Sequence, residues 1–185
     1  KRIESKLRPG IKSLEIAQDR AAEKQFIADC GARVPEWRSI DDPGDIFALN
    51  DPYGGGGMHL PDIYVVKPIF YNEAIEGFAT TLVHHTDIGG LTPGGTAVHA
   101  TEIFQEGLCI PLLKLYERGV PNETVFRFVE KNVRVPTKVL GDLRAQVSAC
   151  HGAERGLLRL VERYGADIVH AYIGDMHRLA ERRMR

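Results

Sequence analysis

Ile63-Tyr64-Val65-Val66-Lys67-Pro68-Ile69-Phe70-Tyr71-Asn72-Glu73-Ala74-Ile75-Glu76-Gly77-Phe78-Ala79-Thr80-Thr81-Leu82-Val83-His84 is the stretch on which the fold turns. Ile63–Tyr71 and Glu76–His84 are rich in Val, Ile, Thr and aromatic residues, the composition of strands. Asn72-Glu73 between them suits a hairpin turn. Working outward, Asp45–Leu49 reads as a shorter strand, and Asn50–Pro61 is a loop with four successive glycines, Gly54 to Gly57. A second glycine-rich loop, Gly89–Gly95, follows the hairpin. Nine of the 19 glycines fall between residues 50 and 95. Such loops are expected to need unusual backbone angles or a close approach to something.

The flanks read as helices. Ile11, Leu14, Ala17, Ala21 and Ala28 recur at helical steps over residues 11–30, with Gly31 as a C-terminal stop. Arg33–Gly44 is a connector that ends in turn chemistry at Asp41-Asp42-Pro43-Gly44. Thr101–Leu115 is irregular or short-stranded. Asn122 is an N-cap for a helix to about Val133. Pro136-Thr137 restarts the pattern, and 138–164 carries Val139, Leu143, Val147, Leu157 and Val161, with Gly152 and Gly156 weakening its middle. Tyr164-Gly165 ends it, and Ala166–Met184 is a last helix. The fold class is therefore mixed α/β, with a β-rich front and a helical back. The pattern does not specify the order of the strands.

With 185 residues the chain is expected to be one domain of ordinary size, or one and a small appendage. Lys plus Arg number 24 against 25 Asp plus Glu, a net charge of -1, which leaves no basic excess for nucleic acid or an anionic membrane surface. No apolar run is long enough to span a membrane. The chain begins at Lys1, without Met, and reads as a fragment or processed product; Lys1–Lys6 lacks the apolar core of a signal peptide. Three cysteines, Cys30, Cys109 and Cys150, are widely spaced without a CxxC pair, and are expected to be reduced, buried thiols of a cytoplasmic protein.

Of seven histidines, His59, His84 and His85 stand out together with Asp62 and Asp87. His59 and Asp62 lie in His-Leu-Pro-Asp where the first glycine loop enters a strand; His84 and His85 lie where a later strand leaves for the second loop. Imidazoles with a carboxylate suit Zn, Mn, Fe or a similar divalent ion, and three protein ligands leave positions open for water and substrate. The competing reading is that His59 caps the strand and one of His84 and His85 is a packed, hydrogen-bonded side chain. On a strand the two histidines point to opposite faces, so at most one joins a given site. Asp87 is either an orienting partner of a ligand histidine or a turn cap. Glu102 and Glu106 are candidates for a general base, with structural pairing as the alternative. Asp142 and Arg144 read as helix-surface charges or an internal ion pair. Cys109 has no base nearby in sequence. Gly54–Gly57 is followed by a strand and not a helix N-terminus, which argues against a phosphate loop.

Several ordered strings resemble the hydantoinase B/oxoprolinase family. They are Asn50-Asp51-Pro52-Tyr53, Gly57-Met58-His59-Leu60-Pro61-Asp62, His84-His85-Thr86-Asp87-Ile88-Gly89-Gly90 with Pro93-Gly94-Gly95, and Thr101-Glu102-Ile103-Phe104-Gln105-Glu106-Gly107. Asn132-Val133-Arg134, Gly141-Asp142-Leu143-Arg144-Ala145-Gln146 and Ala180-Glu181-Arg182-Arg183-Met184-Arg185 follow in order. The resemblance covers residues 43–185; residues 1–42, a helix and connector, lie outside it. It implies a divalent-metal subunit (Zn, Mn, Fe or Mg) of a cytoplasmic hetero-oligomer, a fragment of a longer B-type subunit. An A-type partner would use ATP to activate a cyclic amide. By similarity to acetone carboxylases, the metal ligands fall on His59, Asp62 and His84. His85 and Asp87 are left to assist as proton carriers or by supporting the ligands. A ketone carboxylase subunit and a non-catalytic assembly module are the alternative readings. Two departures from the family stand in the loop itself: four glycines where two are usual, and Met58 where Thr is usual.

Overall fold

A computed structural model describes residues 20–31, 40, 42–54 and 57–185. The chain divides after residue 39 into two units. The described part of the first is helix α1, Arg20–Asp29, which stops at Gly31 with φ +81° as its sequence foretells. Residues 11–19 of the expected helix and 32–39 of the connector lie outside the described residues.

The second unit is built on five antiparallel strands in the order β3-β2-β1-β4-β5. They are β1 Ile46–Leu49, β2 Asp62–Tyr71, β3 Ala74–His84, β4 Leu113–Glu117 and β5 Val120–Pro121. Two strands join through Asn72 and Glu73, both at positive φ, which matches the right-handed twist of a tight hairpin. Arg118 and Gly119 do the same for β4 and β5. Three helices follow: α2 Glu123–Asn132, α3 Pro136–Tyr164 and α4 Ala166–Met184. The fold class is mixed α/β, as expected. Asn122 caps α2, its Oδ1 accepting from the Val125 N–H. The 29-residue α3 runs unbroken through Gly152 and Gly156. Each glycine costs a helix about 1 kcal/mol, and packing of the rest of its apolar stripe against the sheet outweighs that.

One face of the sheet meets α3. Ile63, Val65, Ile69 and Ala79 pack there against Val139, Leu143, Val147 and Cys150, which lie on one stripe of the helix. Phe126 and Val129 of α2 extend the same core. Cys150 is buried in it, but Cys30 and Cys109 are exposed, so the expectation of three buried thiols fails for two. Neither has an apolar stripe to carry it inward.

The hairpin holds one irregularity. Tyr71 faces Ala74 and Phe70 faces Ile75, but Ile69 faces Gly77, so the ladder shifts by one residue at Glu76. Beyond that bulge Asp62 pairs with His84. An unbulged hairpin would set Asp62 against Val83 and turn His84 to the other face.

Candidate functional site

Asp62 opens β2 and His84 closes β3, directly opposite each other. Paired residues of an antiparallel ladder project to the same face, with Cβ atoms about 5 Å apart. His59 arrives on the turn before β2, where the Asp62 N–H donates to the His59 carbonyl at 2.9 Å. The His59 and His84 rings stand 5.2 Å apart between centroids, tilted by 43°. Two imidazoles sharing one tetrahedral ion, each with nitrogen about 2.1 Å from it, have centroids about 5 Å apart. The donor set and the imidazole spacing therefore fit a divalent ion. Among the described residues no three His, Cys, Asp or Glu side chains are drawn close enough to form a ready ligand set. The ladder pairs Asp62 with His84 on one face, and the His59 ring stands beside that of His84. None of the three makes a side-chain hydrogen bond or ion pair among the described residues.

Glycines give the turn its tight surroundings. A Cβ at Gly95, where φ is +71°, would lie 2.4 Å from Pro61 Cγ and 3.7 Å from His59 Cε1. The second glycine loop thus sits against the His-Leu-Pro-Asp turn, the close approach its composition foretells.

His85 goes the other way. It is fully buried, and its Nε2 lies 2.9 Å from Gln146 Oε1 on α3. Gln146 Nε2 donates to the Ile63 carbonyl at 2.8 Å, so Oε1 is the acceptor and His85 Nε2 carries the proton. His85 Nδ1 is buried without a partner among the described residues. Burial lowers the His85 pKa, against the Gln146 hydrogen bond and Asp142, which raise it; His84 lowers it further. The packed, hydrogen-bonded member of the pair is His85, and His84 is the exposed one.

Asp87 is 2% exposed and engages Arg134. The Arg134 backbone N–H donates to one carboxylate oxygen at 2.6 Å and Nη1 to the other at 2.8 Å. Arg134 also donates to the carbonyls of Gly89 and Gly90. Burial pushes the Asp87 carboxyl up, but the hydrogen bonds and charge of Arg134 outweigh it and hold the group below the usual carboxylate range. Its contacts secure the second glycine loop to the start of α3.

Glu102 and Glu106 line a cleft of about 320 Å³ with Tyr53, Thr101, Met58 and Leu60, the last two flanking His59 in sequence. Arg144 lies over the Phe126 ring, its guanidinium carbon 5.6 Å from the centroid. A larger apolar cavity of about 650 Å³ between α3 and α4 has no histidine or carboxylate on its walls. Gln146 and Arg134 carry the support of the site, and composition did not single them out. Gln146 lies in a string that carries the family resemblance, and its local signal is a polar residue on the buried stripe of α3.

The sequence model of the hydantoinase B/oxoprolinase family matches residues 21–185. The beta subunit of caprolactamase from Pseudomonas jessenii is 40% identical over 142 residues, 77% of this chain and 24% of that protein. The delta subunit of acetophenone carboxylase from Aromatoleum aromaticum is 33% identical over 139 residues, 75% of this chain and 20% of that protein. The crystal structure of the ATP-dependent caprolactamase from Pseudomonas jessenii superimposes with a TM-score of 0.73 at 36% identity, over 89% of this chain and 27% of that one. The chain thus spans about a quarter of the length of these relatives.

Proposed function

This chain belongs to the hydantoinase B/oxoprolinase family, and from that premise we propose that it carries the divalent-metal site of an ATP-dependent cyclic-amide hydrolase. The observation behind the reading is the His59–His84 ring pair, 5.2 Å apart, with Asp62 paired opposite His84 on the ladder. A divalent ion (Zn, Mn, Fe or Mg) held there would polarise the substrate carbonyl or acidify a water. His59 and His84 supply neutral nitrogen donors, and Asp62 supplies the negative charge that favours a dication over a neutral ligand. His85 and Asp87 support them: His85 ties the strand end to α3 through Gln146, and Asp87 ties the following loop to Arg134. Glu102 and Glu106 face a cleft that would admit substrate beside the turn. An A-type partner subunit would spend ATP to activate the amide, making the assembly a hetero-oligomer.

Two relatives bear on the substrate. The caprolactamase name favours a lactam-like cyclic amide; the acetophenone carboxylase name favours a ketone with bicarbonate as the second reading. The test is metal analysis of the purified chain, then turnover with an A-type partner, ATP and either a cyclic amide or a ketone with bicarbonate. The reading expects one ion per chain, lost by at least about a hundredfold in affinity in His59→Ala with His84→Ala. Unchanged metal content in that variant would sink it, and carboxylation without amide hydrolysis would select the second reading.

A further inference from the structure

Tyr64 takes no part in any motif, yet it stands at the centre of the turn's support. It lies two residues along β2 from Asp62, on the same face, and pairs with Leu82 as Asp62 pairs with His84. Its ring lies under the backbone of Gly57, two residues before His59. A Cβ on Gly57 would meet Tyr64 Cε2 at 2.7 Å, Oη at 3.2 Å and Cζ at 3.4 Å. The space left by the ring demands glycine there. Gly57 is buried, whereas Met58 is 99% exposed. The chain therefore meets the ring at Gly57, is exposed at Met58, and returns through the hydrogen-bonded His59–Asp62 turn. Gly95 closes on Pro61 and His59 from another side. His59 is held between these two contacts, facing His84.

We propose that Tyr64 is a positioning residue of the site: its ring seats Gly57 and so sets where the His59 imidazole stands relative to His84. The inference rests on the metal reading for its purpose, but its geometry is separately testable. The phenol oxygen is not required; the ring is.

The experiment uses the full chain and two readouts: the nuclear Overhauser contact between the His59 and His84 ring protons without metal, and Zn²⁺ affinity by chelator competition. Tyr64→Phe keeps the ring and should match wild type in both. Tyr64→Val removes the support, and Gly57→Ala drives a methyl into it. Each should lose the ring contact and weaken Zn²⁺ binding about tenfold, the scale on which residues that orient metal ligands act. Combining Gly57→Ala with Tyr64→Val should be no worse than either alone, because both break one contact. Thermal melts separate a lost site from a lost fold, and Tyr64→Leu replaces Tyr64→Val if the latter does not fold. Wild-type contact and affinity in Tyr64→Val and Gly57→Ala would overturn the proposal while leaving the metal reading intact. If wild type binds no Zn²⁺, the metal reading fails and the ring contact alone decides: its loss in Tyr64→Val upholds the positioning role and its persistence overturns it.

Discussion

Two regions of the β2–β3 ladder use the same polar residue types in opposite ways. On the face toward α3, Lys67 is 2% exposed and donates to Glu154 at 2.6 Å and to the Pro43 carbonyl at 2.9 Å. His85 pairs there with Gln146, and the buried Cys150 thiol lies near the carbonyls of Val65 and Ala79. On the outward end, the His59 and His84 rings stand side by side and Asp62 is paired opposite His84, and none of the three makes a side-chain hydrogen bond or ion pair among the described residues. Burial explains the first set, because an unpartnered polar group inside the protein costs free energy. The second set is accessible, so water or a ligand can satisfy it. His84 and His85 are adjacent, and strand alternation sends one outward and the other into the core.

Breaking the inward set should damage stability, and breaking the outward set should not. The largest effect is expected from Glu154→Ala, which leaves Lys67 charged and buried: a loss of about 3 kcal/mol in urea unfolding. Lys67→Met should be nearly neutral by the same measurement, since Glu154 retains access to water. A smaller loss of about 2 kcal/mol should follow His85→Ala, which removes packing and strands Gln146. His84→Ala should stay within about 0.5 kcal/mol. Equal losses for the two histidines would erase the distinction between the regions.

A further effect is pH-dependent. The Asp87 pKa is held below its ordinary value in the folded chain, so the folded state binds fewer protons than the unfolded state in the acid range. Its contribution is fully present above the ordinary carboxylate pKa of about 4 and fades as pH falls through the lower folded value. Asp87→Asn should cost about 1 kcal/mol near pH 7 and converge with wild type in acid, read from unfolding curves across pH. A constant difference at every pH would remove the Arg134 pair as its cause.

The elements were legible where local chemistry speaks. β-Branched and aromatic residues located β2 and β3, and Asn122, Gly31 and Gly165 marked helix ends that the fold keeps. The His-Leu-Pro-Asp turn and the adjacent histidines were readable as candidates. Their meeting was not, because it depends on the one-residue shift at Glu76, which no turn rule signals. Strand order, the two-residue β5 and the run of α3 through its glycines depend on contacts between residues far apart in sequence. Tyr64 and Gly57 met the same limit: each was an ordinary strand or loop residue until the fold set one on the other.

The most direct measurement is anomalous diffraction from crystals of the chain grown with Zn²⁺ or Mn²⁺. A site built from His59, Asp62 and His84 predicts one strong peak about 2 Å from both imidazoles and the Asp62 carboxylate. No peak between them, in crystals with the metal present, would contradict it.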